Sequence, residues 1–122
     1  MALKLKGVLL GSEDPSQLVS FYQEVAQAEP AWTSKDGQFK MFDFDGNWVG
    51  IGPHDKVKGH SVGAERVMFN FETADVQAEY DRIKSAGATE VQAPYHPSGN
   101  PDMWLATLAD PDGNYFQLSS PM

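Results

Sequence analysis

Two short stretches, DGNWVGI at residues 45–51 and DGNYFQL at residues 112–118, decide the fold of this chain. Each begins with Asp-Gly-Asn, a tight-turn signal, and continues into an apolar run that predicts a short strand. Each also follows a strand-like run and an amphipathic helical stretch in its own half of the chain. The repetition therefore predicts an internal duplication, with equivalent positions in the two halves.

The composition limits what the protein can be. Its 122 residues predict one compact domain, and the absence of cysteine excludes disulfides, thiolate metal sites and a cysteine nucleophile. The net charge of −8 argues against nucleic acid or an anionic membrane as a partner. No apolar run approaches the roughly 18 residues of a membrane span, and the first residues lack a signal-peptide core. We therefore expect a cytoplasmic protein without a membrane partner.

The first half, residues 1–53, predicts one βαβββ module. Leu3 to Leu10 alternates like a strand, and Ser12-Glu13-Asp14-Pro15 is typical of a helix start. The helix ends at Pro30, and its apolar face at helical spacing consists of Leu18, Phe21, Tyr22 and Val25. Three short strands are predicted after it, at residues 31–34, 38–44 and 47–52.

Residues 54–64 are predicted to be a polar linker, and residues 65–122 repeat the order of the first half. A strand at 65–72 precedes a helix that Asp75 caps and Gly87 ends. Val76, Tyr80 and Ile83 share one face of that helix. The remaining predicted elements are strands at 89–93, 103–109 and 114–119, with a loop at 96–101. The predicted class is therefore α+β, with two βαβββ modules.

Several short motifs follow one another in a specific order along almost the whole chain. They are Ser12-Glu13-Asp14-Pro15 leading to Phe21-Tyr22, Phe69-Asn70-Phe71-Glu72 leading to Asp75-Val76, Ile83-Lys84-Ser85-Ala86-Gly87-Ala88, and Asp110-Pro111-Asp112-Gly113-Asn114. Their order and spacing resemble the vicinal oxygen chelate superfamily, which includes glyoxalases, bleomycin resistance proteins and extradiol dioxygenases. The resemblance implies a single glyoxalase-like domain over residues 1–122. It implies a curled mixed sheet that forms a cup, helices on the outer face, a site inside the cup, and a homodimer.

The resemblance also implies where a metal would be held. Enzymes of the superfamily commonly bind a divalent metal through His, Glu or Gln side chains from four strands. By this resemblance the four positions are Gly7, Gly50, Met68 and Gln117. Glycine has no side chain, Met is a poor ligand for such an ion, and one neutral Gln oxygen cannot hold a metal alone. The sequence therefore predicts no metal, no cofactor and no catalytic constellation.

Strand alternation predicts which side chains face the cup. One parity is uniformly apolar and is predicted to pack under the helices; it contains Val8, Leu10, Val49, Ile51, Val67, Phe69, Phe71, Phe116 and Leu118. The other parity mixes aromatic, small and polar residues, as ligand pockets do. We expect the glycines at 7, 50 and 52 to leave room for a ligand. The predicted ligand-binding residues are Trp48, Gly50, Arg66, Met68, Asn70, Trp104, Tyr115 and Gln117, with Phe42 and Trp32 extending the apolar wall.

Three hypotheses for the function follow. The first is a metal-free binding protein of the glyoxalase and bleomycin resistance type, which sequesters an aromatic small molecule such as a natural-product antibiotic. The second is an enzyme, either a metal-free lyase or isomerase or one with displaced metal ligands, for which the candidates are His54, His60, Glu65 and His96. The third is a structural or regulatory module in which the protein's own side chains, Trp48, Met68 and Tyr115, fill the cup or a dimer interface.

Overall fold

The computed structural model describes residues 3–121, which form two four-stranded mixed sheets, each with one helix. The chain divides into two compact units, and the division falls between Gly59 and His60, inside the predicted linker. Each unit has the element order strand, helix and three strands. The predicted α+β class and the two βαβββ modules are therefore confirmed.

Unit one contains β1 (Gly7–Ser12), α1 (Pro15–Ala26), β2 (Trp32–Thr33), β3 (Lys40–Phe44) and β4 (Asn47–Pro53). The strand order in its sheet is β1-β4-β3-β2, with β1 parallel to β4 and the other pairs antiparallel. A parallel pair needs a long connection between its strands. Here α1, β2 and β3 form that connection and return the chain to the end of the sheet at which both β1 and β4 begin.

Helix α1 begins where the sequence predicts it. The Asp14 carboxylate accepts a hydrogen bond from the Gln17 amide at 3.4 Å, and Pro15 occupies the first turn, where its missing N–H costs nothing. The helix ends at Ala26, before the predicted end at Pro30, because the next residue, Gln27, adopts a left-handed conformation with φ of 54°. Its four predicted apolar residues, Leu18, Phe21, Tyr22 and Val25, are all buried.

Unit two contains β5 (Phe69–Glu72), α2 (Val76–Ser85), β6 (Thr89–Tyr95), β7 (Leu105–Ala109) and β8 (Tyr115–Ser119). The strand order is β5-β8-β7-β6, so the topology of unit one is repeated strand for strand. Strand β6 departs from regular pairing with β7, because its register shifts twice between Glu90 and Tyr95.

Helix α2 is fixed at both ends and to its sheet. The Asp75 carboxylate accepts a hydrogen bond from the Ala78 amide at 3.0 Å, and Gly87 follows the helix with φ of +117°. Val76, Tyr80 and Ile83 are buried, as predicted. The Tyr80 hydroxyl donates a hydrogen bond to the Glu90 carboxylate, which ties the helix to β6.

The core of each unit lies between its helix and one face of its sheet, here called the helix face. In unit one the helix face includes Val49 and Ile51, and Phe42 pairs directly with Val49. In unit two the buried residues of that face are Ala106, Leu108, Phe116 and Leu118. The sequence analysis placed Phe42 in the apolar wall of the cup. That prediction is wrong, because Phe42 is only 1% exposed and belongs to this core. The face on which Phe42 lies is set by its pairing with Val49 of β4, which the sequence alone does not reveal.

The two Asp-Gly-Asn stretches build different turns. Asp45 and Gly46 both have positive φ and join β3 to β4 as a two-residue hairpin loop. The second stretch lies in a five-residue loop between Ala109 and Tyr115, organised by the buried Asp110 carboxylate. That carboxylate accepts hydrogen bonds from the Asp112 and Asn114 amides, each at 2.9 Å. Similar sequence therefore leads into the last strand of each unit through different loops.

Strands β1 and β5 each begin four residues later than predicted. Strand β1 starts at Gly7 because its parallel partner β4 begins there in register, at the pair Gly7 and Trp48; Leu3 and Leu5 are exposed. Strand β5 starts at Phe69 because the preceding residues form a turn, in which the Arg66 amide bonds the Gly63 carbonyl at 3.0 Å. Val67 is consequently 79% exposed and is not part of the core.

Neither described helix has the length and apolar character that crossing a bilayer requires.

Candidate functional site

The face of each sheet away from its helix, here called the far face, carries most of the predicted site residues. In sheet one, Trp48 and Gly50 alternate with the buried Val49 and Ile51 and therefore lie on the far face. In sheet two, Tyr115 and Gln117 alternate in the same way with buried residues of β8. Asn70 pairs directly with Gln117 and shares its face.

Trp48 covers the first of the glycines in sheet one. A Cβ built on Gly7 would overlap the Trp48 carbonyl oxygen and its indole ring, and would lie 2.7 Å from the indole Cε3. The two residues are direct partners in the parallel pair of β1 and β4. Only glycine therefore fits at position 7 while the indole keeps this place.

Side chains also fill the space beside the other two glycines. A Cβ on Gly50 would meet Leu9 and Trp48 at 3.2 Å and Met41 at 3.4 Å. A Cβ on Gly52 would overlap the ring of Phe39. We expected these glycines to leave room for a ligand. The missing side chains do leave space above the backbone, but aromatic and apolar side chains of the same unit occupy that space.

The residues at the four family metal positions do not fit a divalent metal. Gly7 lies under an indole, Gly50 has no side chain, and Met68 precedes β5 and offers only a thioether. Gln117 alone supplies an oxygen. Within residues 3–121, no group of three or more His, Asp or Glu side chains is placed to hold a metal ion.

The far face of sheet two carries a row of polar side chains at the level of Gln117. Asn70 pairs with Gln117, Gln117 with Thr107, and Thr107 with Gln92. We call these four residues the amide row. Thr107 is only 7% exposed, Gln117 is half-buried, and Asn70 and Gln92 are exposed.

Sequence reasoning missed Thr107 and Gln92. Thr107 could have been found, because it has the far-face parity of β7, between the buried Ala106 and Leu108. Gln92 could not, because the register shifts in β6 break the simple alternation that predicts facing.

Tyr115 occupies the position in sheet two that Trp48 occupies in sheet one. Both are the first far-face residue after an Asp-Gly-Asn stretch, and both are half-buried. Tyr115 pairs with Ala109, whereas Trp48 pairs with Asp43 and Gly7. Tyr115 therefore has a small neighbour across the sheet.

Arg66 and Met68 lie in the segment that leads into β5, outside the paired strand. Both are exposed, Met68 to 38%, and alternation within a strand does not determine which way they face. The prediction that they face a ligand used alternation along a strand starting at residue 65, whereas β5 starts at Phe69, so their role in binding stays a prediction.

Trp104 also lies outside a strand, one residue before β7. Its backbone is held by the end of the chain, since its amide donates to the Ser120 hydroxyl at 3.0 Å and its carbonyl accepts from the Ser120 amide. Trp104 is 42% exposed. Its ring lies against the His96 ring, with 3.9 Å between the two centroids. The His96 Nδ1 bonds the Met103 carbonyl at 2.8 Å, so Nδ1 is the donor and Nε2 is left for another partner.

The other two histidines lie in the linker. The His54 Nδ1 accepts a hydrogen bond from the Lys56 amide at 3.1 Å, and its Cβ lies close to Gly11 in β1. His60 lies beside Gly113, in the loop before β8. Both are exposed, as is Glu65.

A family model described as a glyoxalase-like domain matches residues 7–119. A crystal structure of a glyoxalase/bleomycin resistance protein/dioxygenase family enzyme from Burkholderia phytofirmans PsJN is similar, with a TM-score of 0.77 and 21% identity over 98% of this chain and 100% of that chain. A glyoxalase-related enzyme from Fulvimarina pelagi gives a TM-score of 0.78 and 16% identity, over 98% of this chain and 89% of that one.

The genomically encoded fosfomycin resistance protein FosX from Listeria monocytogenes gives a TM-score of 0.69 and 18% identity, over 100% of this chain and 94% of that chain. No curated protein matches the chain. At these identities the solved structures show a shared fold and leave the ligand open.

Proposed function

The chain belongs to the glyoxalase-like domain family of the vicinal oxygen chelate superfamily, and on that basis we propose that it binds an aromatic small molecule without a metal. The ligand class we propose is a natural product, which the protein sequesters as bleomycin resistance proteins do. We propose further that the protein works as a cytoplasmic homodimer.

The observation that carries this proposal is the state of the four family metal positions. Gly7 and Gly50 have no donor atoms, and the Trp48 indole lies against both of them. A site that keeps an aromatic ring where its relatives would place a metal ligand favours binding by stacking and burial. Such ring contacts contribute on the order of 0.5–1.5 kcal/mol each beyond the burial of apolar area.

The far face of each sheet, taken by itself, carries further residues that we propose to bind the ligand. Trp48 and Tyr115 are half-buried rings at equivalent positions of the two modules, and each keeps part of its surface accessible. Asn70 and Gln117 add amide groups that can orient a guest. Arg66, Met68 and Trp104 remain proposed contributors from the segments that lead into β5 and β7.

One observation favours the alternative of an enzyme with a displaced metal. The His96 imidazole is oriented by a backbone carbonyl and keeps Nε2 available, as histidine ligands commonly do. Elemental analysis of protein purified without chelator tests this alternative. One metal per chain, lost in a His96→Ala variant, would favour the enzyme over the metal-free binder.

A thermal-shift screen of aromatic natural products tests the proposal directly. We expect at least one compound to raise the melting temperature, and Trp48→Ala to weaken its binding by about tenfold, since burial and stacking on the ring are both lost. Val62→Ala is the control, because it shortens an exposed side chain of the linker. Unchanged affinity of Trp48→Ala for a confirmed ligand would contradict the site.

A further inference from the structure

We infer that the amide row of sheet two recognises an uncharged, planar ligand that presents a hydrogen-bond donor next to an acceptor, as a lactam or cyclic imide does. This inference rests on the proposed function and names the chemical class of the ligand. It concerns Asn70, Gln117, Thr107 and Gln92, which lie side by side on four neighbouring strands.

The geometry of the row suits a flat molecule. Neighbouring strands are about 4.8 Å apart, so four side chains in register span about 14 Å of the far face. Direct partners in a sheet project to the same side, which brings their polar ends to one level above the backbone. A planar ring system lying along the row would meet several of these groups at once.

The polar atoms of the row are not used by the fold. No hydrogen bond links the side chains of Asn70, Thr107 or Gln117 to another described residue. Within residues 3–121, the Gln92 side chain donates one hydrogen bond, to the carbonyl of the neighbouring Ala93 at 3.4 Å. The polar atoms of Gln117 and Thr107 are not among the described buried atoms that lack a partner, so they reach the surface of the far face and are open to a ligand.

The charges indicate which ligand suits the row. Amide and hydroxyl groups both donate and accept, and none of the four residues is ionised. Glu72, on the same strand and the same far face as Asn70, disfavours an anion, as does the net charge of −8. A neutral group with an N–H beside a C=O suits the row, because it both donates to and accepts from the amides and carries no charge.

The comparison with sheet one shows that the polarity is local to this row. The equivalent row there consists of Leu9, Gly50, Met41 and Trp32. The fold therefore tolerates a wholly apolar row at this level, and sheet formation does not require amides in it. A requirement of ligand recognition explains the difference.

Three bicyclic probes of similar size test the inference: 2-quinolone, a neutral lactam; quinoline, which only accepts; and 2-naphthoate, an anion. Each is titrated into ¹⁵N-labelled protein, and binding is followed on backbone and side-chain amide signals. We expect 2-quinolone to bind at least about tenfold more tightly than the other two, because each unmatched polar group costs about one such factor. The side-chain amide signals of Asn70 and Gln117 should shift with it.

Gln117→Leu should reduce the affinity for 2-quinolone by about tenfold and leave that for quinoline within about twofold. If Gln117→Leu does not fold, Asn70→Leu replaces it in the same titration with the same expected result, because Asn70 is more exposed and its substitution disturbs the fold less. Gln38→Leu removes an exposed amide from the loop before β3 and should change neither affinity.

Two results would overturn the inference and leave the proposed function standing. One is equal or tighter binding of 2-naphthoate or quinoline than of 2-quinolone; the other is undiminished 2-quinolone binding in both amide-row variants. Failure of all three probes, together with failure of the aromatic screen, would contradict the proposed function itself.

Discussion

The Trp48 indole lies against the backbone of Gly7 on the neighbouring strand, where a single added methyl group would overlap it. The pair explains two features of the sequence at once. Glycine is needed at position 7 because the backbone carbonyl and the indole of Trp48 both lie too close for a Cβ. The indole can pack against the strand because Gly7 has no side chain.

Gly7→Ala should destabilise unit one by at least about 2 kcal/mol, because the added methyl overlaps the backbone carbonyl of Trp48 as well as its ring. Gly50→Ala should cost about 1 kcal/mol or less, since the nearest atoms there are the ends of side chains at 3.2 Å. Urea denaturation measures both free energies of unfolding. Equal losses in the two variants would contradict the close contact at Gly7.

Asp110→Ala should lower the free energy of unfolding by about 2 kcal/mol, because the Asp112 and Asn114 amides lose their acceptor in a partly buried loop. Amide hydrogen exchange at Asn114 should accelerate in the same variant. Asp102→Ala, at an exposed loop position, should stay within about 0.5 kcal/mol of the parent protein. An unprotected Asn114 amide in the parent would refute this account of the loop.

Asp75→Ala should destabilise the protein by about 1 kcal/mol, because the Ala78 amide at the start of α2 loses its capping carboxylate. Asp75→Asn should recover most of that loss, since asparagine caps nearly as well. Asp81→Ala is the matched control: Asp81 is an exposed residue of the same helix, and its carboxylate accepts a hydrogen bond from the Gln77 side chain and caps no backbone amide within residues 3–121. A loss in the control as large as in Asp75→Ala would show that capping is not the cause.

Divalent metals should leave the melting temperature unchanged within about 1 °C, whether Ni²⁺, Zn²⁺, Mn²⁺ or Fe²⁺ is added or a chelator is used. A metal bound at one hundred times its dissociation constant would add about 2.7 kcal/mol, a rise of several degrees for a chain of this size. The reason for expecting no rise is the donor set at Gly7, Gly50, Met68 and Gln117. A reproducible shift with one metal would mean that other residues bind it.

The sequence alone predicted the architecture well because the signals involved are local. Asp14 and Asp75 cap their helices as expected, and the apolar faces of both helices are buried. The repeated Asp-Gly-Asn stretches correctly indicated two modules, each of which ends in a strand that starts directly after the turn region. Caps, turns and helical spacing involve neighbours within a few residues, so they can be read without knowing the pairing.

Other features were decided by tertiary structure. Strand β1 starts at Gly7 and not at Leu3 because its parallel partner begins there, and Arg66 and Met68 fall outside β5 because a turn precedes it. The candidate site depends on the same information. Alternation assigns a residue to one of two faces, but only the register places Thr107 and Gln92 beside Gln117.

The sequence by itself thus determined the duplicated α+β fold, the start of each helix and the absence of side-chain donor atoms at positions 7 and 50. The tertiary structure decided what occupies the space beside the glycines, namely Trp48 and Phe39, and which polar side chains stand together. The physical reason is that side-chain filling and cross-strand neighbours depend on contacts between residues distant in the chain, which no local pattern encodes.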